Sequence, residues 1–464
     1  MSVEAWAEEE FGAVQLGDAR LRRRLLKMAA RVADHPAGTV TAVIRHPAER
    51  QGAYRLLSND RTDPKEVSRS AFAACVERCA DEPYVVVAED GSSLALTDTE
   101  GTKGLGSVGP RAAGGRGLQV MTALAISRSG VPLGLCGQAI WSRSEATTAP
   151  PNSRGVEDKE TRFWLEVLND TSARFQASGS CRPWFQMDRG ADSWPVWSCA
   201  LQDGHWVTVR ACHDRRLRAP PGQRRYLRAT VAAHPELARF ELPIPGGHGR
   251  VARRAVMALR AAPVELRMTQ TPSKRVAYVS MWAVSTQEVS AVPEGQEPLT
   301  WLLLTTRPVL TPADAAEVVY SYGLRWRIEE FHRAWKSGLA NVEDTQLRSA
   351  AAIQTWALLL ASAATRLLRL MHRSRQEPDL PATTEFSPLE LHAIHLAEGR
   401  STPPPRTPTL HQTVHRLARL GGYTGPASGG PPGLTVLSRG LAYIEPIVHV
   451  LARNQPATGL VRDL

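Results

Sequence analysis

The stretch YVVVAEDGSSLALTD, residues 84–98, begins with β-branched and small apolar residues and continues into acidic and turn-forming ones. It predicts a buried strand that gives way to a turn at Asp90. Further strand-like stretches follow: LQVMTALAIS at 118–127, PLGLCGQAIW at 132–141, RPWFQMD at 182–188 and HWVTVRA at 205–211. A helical pattern, KETRFWLEVLNDTSARF at 159–175, lies among them. Strands interrupted by a helix predict a mixed α/β sheet.

The regions around these strands have other patterns. Residues 16–33 repeat apolar and basic residues with a helical period behind Asp18 as N-cap, which predicts a helical N-terminal module ending near residue 65. Residues 212 to about 300 contain short β-like pieces between Pro and Gly turns and predict a β-rich insertion. Beyond about residue 372, proline-rich connections separate helical stretches and predict a separate helical C-terminal domain.

The composition is that of a soluble globular protein with two or three domains, since 43% of the 464 residues are hydrophobic and 22% are charged. Polar residues break the apolar stretches before the ~20 residues that a membrane span needs, so we expect no membrane segment. The acidic start MSVEAWAEEEFGAV lacks the pattern of a signal peptide, and we expect a cytoplasmic protein. The six cysteines lack a C-x-x-C pair or zinc-finger spacing, which predicts reduced, mostly buried thiols.

Positive charge is concentrated in one region. The whole chain has a net charge of +10, whereas residues 210–275 hold 15 Lys and Arg against four acidic residues, a net charge of +11. The aromatic residues Tyr226 and Phe240 lie within this region, and the combination favours a track for a polyanion such as DNA. The alternative is an arginine-rich surface without a partner. The basic face of residues 16–33 has the same two interpretations, contact with DNA or simple solvation.

The segment YGLRWRIEEFHRAWK, residues 322–336, is predicted to be an amphipathic helix. One face would carry polar residues, Tyr322, Arg325, Glu329 and Lys336. The opposite face would carry apolar residues, Leu324, Ile328, Phe331 and Trp335. One interpretation is a solvated surface with an ordinary ion pair between Arg325 and Glu329. The other is a metal-binding carboxylate placed among cations that bind phosphate.

Two aspartates occupy strand ends in the predicted sheet, Asp90 after YVVVAE and Asp188 after RPWFQM. Either residue alone is more typical of a turn former or a helix cap. Together with Glu329 they form a candidate set of oxygen ligands for two divalent metals that act on a phosphodiester.

The pattern Tyr322-x2-Arg325-x3-Glu329-x6-Lys336 resembles the Y-R-E-K signature of cut-and-paste DDE transposases related to transposon Tn-five, in the insertion sequence four group. Similarity extends along nearly the whole chain in the order of that family. It includes LGDARL and QGAYRLL near the start, EDGSSL around Asp90, DRGAD around Asp188, WLLLTTRPV before the signature and RLARLGGY near the end.

The resemblance implies an RNase H-like catalytic core with a β-rich insertion and three domains. The expected boundaries are a helical DNA-binding domain at 1–65, a catalytic domain at 66–372 with the insertion at about 212–300, and a helical dimerisation domain at 373–464. The implied activity is that of a metal-dependent endonuclease that also joins DNA. It binds transposon-end inverted repeats, cleaves them through a hairpin and joins the 3′-hydroxyl to target DNA.

The resemblance also implies roles for individual residues. Asp90, Asp188 and Glu329 would be the DDE triad that holds two Mg²⁺ ions, with Mn²⁺ as a substitute. Trp301 would stack on a flipped base and Trp326 would help to displace it, with core packing as the alternative for both. The other implied DNA contacts are Tyr322, Arg325, Lys336, Arg333, Arg210, Arg24, Tyr54 and Arg55. The partners would be transposon-end and target DNA and a second copy of the chain, each subunit binding one end and cleaving the other.

Two departures from the family pattern limit what the resemblance implies. Asp34 and His35 stand where the family has a basic and an aromatic residue that contact the transposon end, so we expect recognition of the inverted repeat to differ. Residues 91–93 are Gly, Ser and Ser in place of two threonines and a serine. The main alternative function is a non-catalytic, domesticated or inhibitory DNA-binding derivative, and a third is a nuclease that lacks strand transfer.

Overall fold

The structure is a computed structural model, and it describes residues 1–109, 114–143, 159–179, 181–247, 250–270, 273–400, 406–426 and 430–454. The chain begins with helices. They are α1 (Val3–Phe11), α2 (Ala19–Asp34), α3 (Val40–Val43), α4 (Pro47–Leu57) and α5 (Pro64–Arg78). The predicted N-cap of α2 is present, because the backbone N–H of Arg20 donates to Asp18 at 2.7 Å. The apolar side of α2 is buried as the helical period predicts, and Arg20, Arg23 and Lys27 are exposed.

The described strands form one ten-stranded mixed sheet. The strands are β1 (Tyr84–Ala95), β2 (Gly106–Ser107), β3 (Arg116–Ile126), β4 (Pro132–Trp141), β5 (Arg182–Met187), β6 (Trp206–Arg210), β7 (Ala238–Ile244), β8 (Arg253–Thr269), β9 (Val276–Glu288) and β10 (Thr300–Thr305). Their order is β2-β3-β1-β5-β6-β10-β9-β8-β7, and β4 pairs with β3. The parallel pairs β1–β5 and β5–β6 lie in the middle. The mixed α/β prediction is confirmed.

The β-rich region after residue 212 is not a separate sheet. Its long strands β8 and β9 pair with each other, and β9 continues into the main sheet by pairing with β10. In turn, β10 pairs with β6, which belongs to the central parallel group. The insertion therefore extends the central sheet sideways, and it includes one short helix, α8 (Leu227–Ala232).

Both faces of the sheet are covered, because alternate residues of β1 and β5 enter two different cores. Val86, Ala88 and Trp184 belong to one core, which includes the N-terminal helices and the helices after residue 312. Val87 and Phe185 belong to the other, which α6 (Thr161–Ser178) and α7 (Trp194–Gln202) cover. Burial on both faces explains why the strand sequences are almost continuously apolar.

Helices follow β10. They are α9 (Pro312–Leu324), α10 (Arg327–Arg333), α11 (Ala350–Gln376), α12 (Pro388–Ala397), α13 (Leu410–Leu420) and α14 (Leu434–Arg453), with a π-helical turn at Ala334–Gly338. Capping boxes at Thr311, Ser387 and Thr409 begin three of these helices.

Two helices, α11 and α14, are long and apolar enough to cross a membrane by length and composition. The apolar window of α11 is 83% buried inside the protein, which is the position of a core helix. The corresponding window of α14 is only 17% buried; most of its apolar side chains are half-buried against the core, and Tyr443 and Val450 are exposed.

Candidate active site

Asp90 lies inside a strand rather than at its end, which corrects the prediction of a turn. The pairing of β1 with β3 continues from Asp90, opposite Thr122, to Ala95. The pairing with β5 stops one residue earlier, where Glu89 lies opposite Met187. The sequence could not show that β1 has both β3 and β5 as neighbours. Because the pairing with β5 ends before Asp90, the Asp90 side chain is partly accessible, at 14% exposed.

Asp188 follows the last residue of β5, as predicted. It caps a short 3₁₀ turn at Arg189–Ala191, and its Oδ1 accepts the backbone N–H of Gly190 at 2.7 Å. Because Met187 lies opposite Glu89, the next residues along these parallel strands, Asp188 and Asp90, are neighbours across the sheet.

The predicted single helix over residues 322–336 is interrupted. Helix α9 ends at Leu324 and α10 begins at Arg327, because the N–H groups of Arg325 and Trp326 bond to carbonyls three residues back. The apolar positions of the segment face the core as predicted, and Trp335 and Phe331 are fully buried. Glu329 lies in the first turn of α10 with its side chain 37% exposed.

Arg325 joins two of the three candidate carboxylates. Its Nη1 donates to Oδ2 of Asp90 at 2.8 Å, and its Nη2 lies 3.4 Å from Oε1 of Glu329. The Arg325 side chain is only 12% exposed. The pair with Glu329 is therefore part of a partly buried network that includes Asp90, which distinguishes it from an ordinary surface ion pair.

The pKa of Asp90 is raised to about 6, chiefly by burial. The guanidinium of Arg325 and the N–H of Gly91 act to lower it, whereas the charges of Asp188 and Glu329 raise it further. Asp188 and Glu329 thus both lie within electrostatic range of Asp90. A cluster of negatively charged oxygens with one guanidinium among them fits a divalent cation such as Mg²⁺, which takes carboxylate ligands and would relieve their repulsion.

Several of the predicted DNA-contacting residues surround these carboxylates. Tyr322 is buried and packs edge-to-face on the half-buried Trp301, with ring centroids 5.4 Å apart. Arg210 donates to the carbonyl of Thr300, beside Trp301, at 3.3 Å. Burial raises the pKa of the Tyr322 hydroxyl, while the charges of Arg325 and Arg210 lower it and that of Asp188 raises it, so these groups share one environment.

Lys336 reaches the same face of β1. Its Nζ lies 3.4 Å from Oγ of Ser92, two residues after Asp90. Trp326, which is 57% exposed, and Arg333, also exposed, lie at the start and the end of α10.

The N-terminal candidates form a second group, on α2 and α4. Tyr54 and Arg55 are exposed on α4. Arg24 of α2 lies against Gly52 of α4, where an added Cβ would come within 3.3 Å of its Nε. A cavity of about 560 Å³ opens between these helices, and its lining includes Arg20, Arg23, Arg24, Lys27, Arg31 and His46 beside Glu49 and several apolar residues.

The basic region predicted at residues 210–275 lies beside the carboxylates. The exposed arginines after β6 are Arg216, Arg218, Arg224, Arg225 and Arg228. Two backbone bonds attach their segment to β8, from the N–H of Arg218 to Glu265 at 2.9 Å and from the N–H of Arg267 to Arg216 at 2.8 Å. The charge of Arg228 contributes to lowering the pKa of Arg210, which places the segment near the site.

Two residues near the site were missed in the sequence. Arg189 directly follows Asp188, and its charge lowers the pKa of Arg210. Glu343 accepts the backbone N–H of Ala95 at 2.9 Å and lies 3.6 Å from Nζ of Lys336. Arg189 belongs to the quoted DRGAD motif and could have been found there, whereas no sequence pattern marks Glu343.

Asp34 faces helix α14 and not the basic cavity. Burial raises its pKa to about 7, the charges of Glu445 and Glu4 raise it as well, and Arg366 and Arg31 oppose them. His449 of α14 bonds to Arg31 at 3.2 Å. Asp34 therefore belongs to the contact between α2 and α14.

We expect Asp34→Asn to stabilise the protein at alkaline pH. An aspartate whose pKa is raised by folding destabilises the folded state once pH exceeds its ordinary value of 3.8, and fully above about 7. The gain should be on the order of 3 kcal/mol near pH 8 and should vanish near pH 4. Urea unfolding at the two pH values measures it. Equal stability of both proteins near pH 8 would show that the Asp34 carboxylate is well solvated.

Comparison with known families matches two parts of the chain. Residues 3–62 match a family model described as transposase DNA-binding, which covers α1 to α4. Residues 181–366 match a family model described as transposase DDE domain, which includes Asp188 and Glu329 and begins after Asp90. Domains of the second kind are metal-dependent and have an RNase H-like core. The chain therefore has one region similar to transposase DNA-binding domains and one region similar to transposase DDE domains.

Proposed function

We propose that this protein is a cut-and-paste transposase of the Tn-five type, which binds the inverted repeats at transposon ends, cleaves them and joins the free 3′-hydroxyls to target DNA. The observation that carries the proposal is the meeting of Asp90, Asp188 and Glu329 at the end of β5. Carboxylate oxygens and the Arg325 guanidinium lie side by side there, and cleavage of a phosphodiester requires both kinds of group.

Asp90, Asp188 and Glu329 would hold two Mg²⁺ ions, for which Mn²⁺ can substitute. Such ions, when bound, activate water or a 3′-hydroxyl and stabilise the leaving oxygen. The protein contributes the fixed positions of the carboxylates, two on neighbouring strands and one on α10. Arg325 bonds to Asp90 and Glu329, and with a cation bound to those carboxylates its guanidinium would be available to a DNA phosphate.

The surrounding side chains position the DNA. Arg325, Lys336 and Arg333 would contact phosphates near the scissile bond, and the Tyr322 hydroxyl would assist Arg325 there. Trp301 would receive a flipped base during hairpin formation, with Tyr322 supporting its ring from the side. The exposed Trp326 would help to displace that base.

The proposed domains are residues 1–65 for DNA binding, 66–372 for catalysis and 373–464 for dimerisation. The exposed apolar side chains of α14, Tyr443 and Val450, support a role in pairing with a second copy. In the dimer each subunit would bind one transposon end and cleave the other. We place the protein in the bacterial cytoplasm, where its DNA substrate lies.

The N-terminal cavity predicts how end binding depends on salt. Arg24→Ala should weaken binding and reduce the slope of log affinity against log salt by about 1, because one phosphate contact is lost. Fluorescence anisotropy over a series of salt concentrations measures the slope. Arg69→Ala is the matched control, since Arg69 is an exposed arginine of α5 paired with Glu66. An unchanged slope for Arg24→Ala would place the DNA elsewhere.

The decisive experiment incubates the purified protein with Mg²⁺ and a labelled duplex bearing the inverted repeats that flank its own gene. Cleavage at the repeat edge that is lost in Asp188→Ala supports the proposal. Binding without cleavage in either Mg²⁺ or Mn²⁺ would favour a non-catalytic, domesticated or inhibitory DNA-binding derivative. Cleavage without joining to an added target plasmid would indicate a nuclease that lacks strand transfer.

A further inference from the structure

Cys199, Asp203 and His205 form a cluster on the other face of the sheet. The Cys199 Sγ lies 3.5 Å from Oδ2 of Asp203, and Nε2 of His205 lies 3.9 Å from the same oxygen. One ligand atom from each residue lies within 4.8 Å of the other two. The side-chain oxygen of Asn169, on α6, is 3.2 Å from the thiol.

The cluster is built on a fixed turn between α7 and β6. The N–H of Asp203 donates to the carbonyl of Cys199 at 3.0 Å, and the N–H of His205 donates to the carbonyl of Ala200 at 2.8 Å. Gly204 between them has φ of 68°, a conformation that favours glycine. These bonds hold the three side chains together on a seven-residue stretch, so little chain entropy remains to be lost when a ligand binds.

A thiol, an imidazole and a carboxylate are the donors that Zn²⁺ takes in proteins. The other described cysteines lie outside this cluster: Cys75, Cys79 and Cys136 are buried, Cys181 is half-buried and Cys212 is exposed. We propose that Cys199, Asp203 and His205 form a structural Zn²⁺ site that ties the end of α7 to the start of β6.

Binding at this site releases one proton. Burial, together with Asp203, raises the pKa of the Cys199 thiol to about 11, so the free thiol is protonated, and Zn²⁺ replaces its proton. Burial and the charge of Arg182 lower the pKa of His205 against the opposing effect of Asp203. The imidazole is therefore neutral near pH 7, the form that binds metal.

The site is separate from the proposed catalytic carboxylates. Cys199 packs on the core that contains Val87 and Phe185, whereas Asp90 lies on the opposite face, with Ala88. His205 immediately precedes β6, whose Trp206 lies opposite Trp184 near the start of β5, and Asp188 follows the end of that strand. At about 3.3 Å per residue the two sites lie on the order of 15 Å apart along the strand.

The test uses Co²⁺ as a spectroscopic substitute for Zn²⁺ in the chelator-treated, full-length protein. A thiolate bound to Co²⁺ gives a charge-transfer absorption in the near ultraviolet, which Co²⁺ at the Asp90 carboxylates cannot give. We expect this absorption to saturate at one Co²⁺ per chain and to disappear when Zn²⁺ is added. Cys199→Ser should abolish it, and Cys212→Ser, which removes a solvent-exposed thiol, should leave it unchanged.

A second variant tests the site without changing the packing of α7. Asp203 is 56% exposed, so Asp203→Asn should fold normally and should weaken Co²⁺ binding at least about tenfold, because changes even beyond the direct ligands cost about 10–100-fold. The proposal is overturned if the wild-type protein gives no charge-transfer absorption, or if the absorption survives in Cys199→Ser. It is also overturned if Asp203→Asn binds Co²⁺ as tightly as the wild-type protein. None of these outcomes depends on DNA cleavage.

Discussion

Asp90→Ala and Glu329→Ala should each reduce cleavage of transposon-end DNA at least about 1,000-fold, equivalent to about 4 kcal/mol of transition-state stabilisation. Each change removes one of the oxygen ligands proposed for the metal ions. End binding should be retained or become tighter, because the variant loses a negative charge from a site that faces phosphate. Single-turnover cleavage in Mg²⁺, with anisotropy for binding, measures the two properties separately.

Asp81→Ala is the matched control, since it removes an exposed carboxylate just before the start of β1. Its cleavage rate should equal that of the wild-type protein. A cleavage rate within tenfold of the wild-type rate in either Asp90→Ala or Glu329→Ala would show that the metal ligands have been assigned wrongly. Loss of DNA binding in both variants would instead mean that the changes disturb the fold.

Trp335→Ala should lower the free energy of unfolding by about 4 kcal/mol, the usual cost of deleting a fully buried aromatic side chain. Trp335 has no exposed surface, stacks on Phe331 with ring centroids 5.5 Å apart, and donates its indole N–H to the carbonyl of Ala357 at 2.9 Å. Denaturant unfolding in urea measures the loss.

Trp326→Ala is the contrasting variant in the same segment. Its indole is 57% exposed, so its removal should change the free energy of unfolding by no more than about 0.5 kcal/mol. The variant should instead slow hairpin formation, if Trp326 helps to displace the flipped base. Equal destabilisation by the two changes would contradict the burial of Trp335 and the exposure of Trp326.

Individual helices and strands could be predicted because the residues that determine them lie close together in the sequence. Strand β4 occupies the predicted range, Pro132–Trp141, and α2 begins behind the predicted cap Asp18. The convergence of Asp188 and Glu329 on Asp90 is different, since it depends on which strands become neighbours. Only the resemblance to known transposases supplied that information in advance.

The errors have physical causes of the same kind. The sequence after Asp90 looks like a turn because Gly and Ser follow, yet pairing with β3 keeps the chain extended. The sequence did not show that the β-rich insertion would extend the central sheet, because its connection depends on the pairing of β9 with β10. The cluster at Cys199 was not recognised in the sequence because its spacing matches no common metal motif. Only the turn at Gly204 brings its side chains together.

Because the sheet is continuous, it fixes the distance between the basic segment and the carboxylates. The basic segment after β6 is attached to β8, and β8 is connected to β5 through β9, β10 and β6. Four strand spacings of about 4.8 Å place that attachment roughly 19 Å from the strand that precedes Asp188. At a rise of about 3.4 Å per base pair this is about half a turn of B-DNA. Hydrogen-bonded strands stretch little, so the sheet would fix the number of base pairs between the DNA bound by the basic segment and the bond cleaved at the carboxylates.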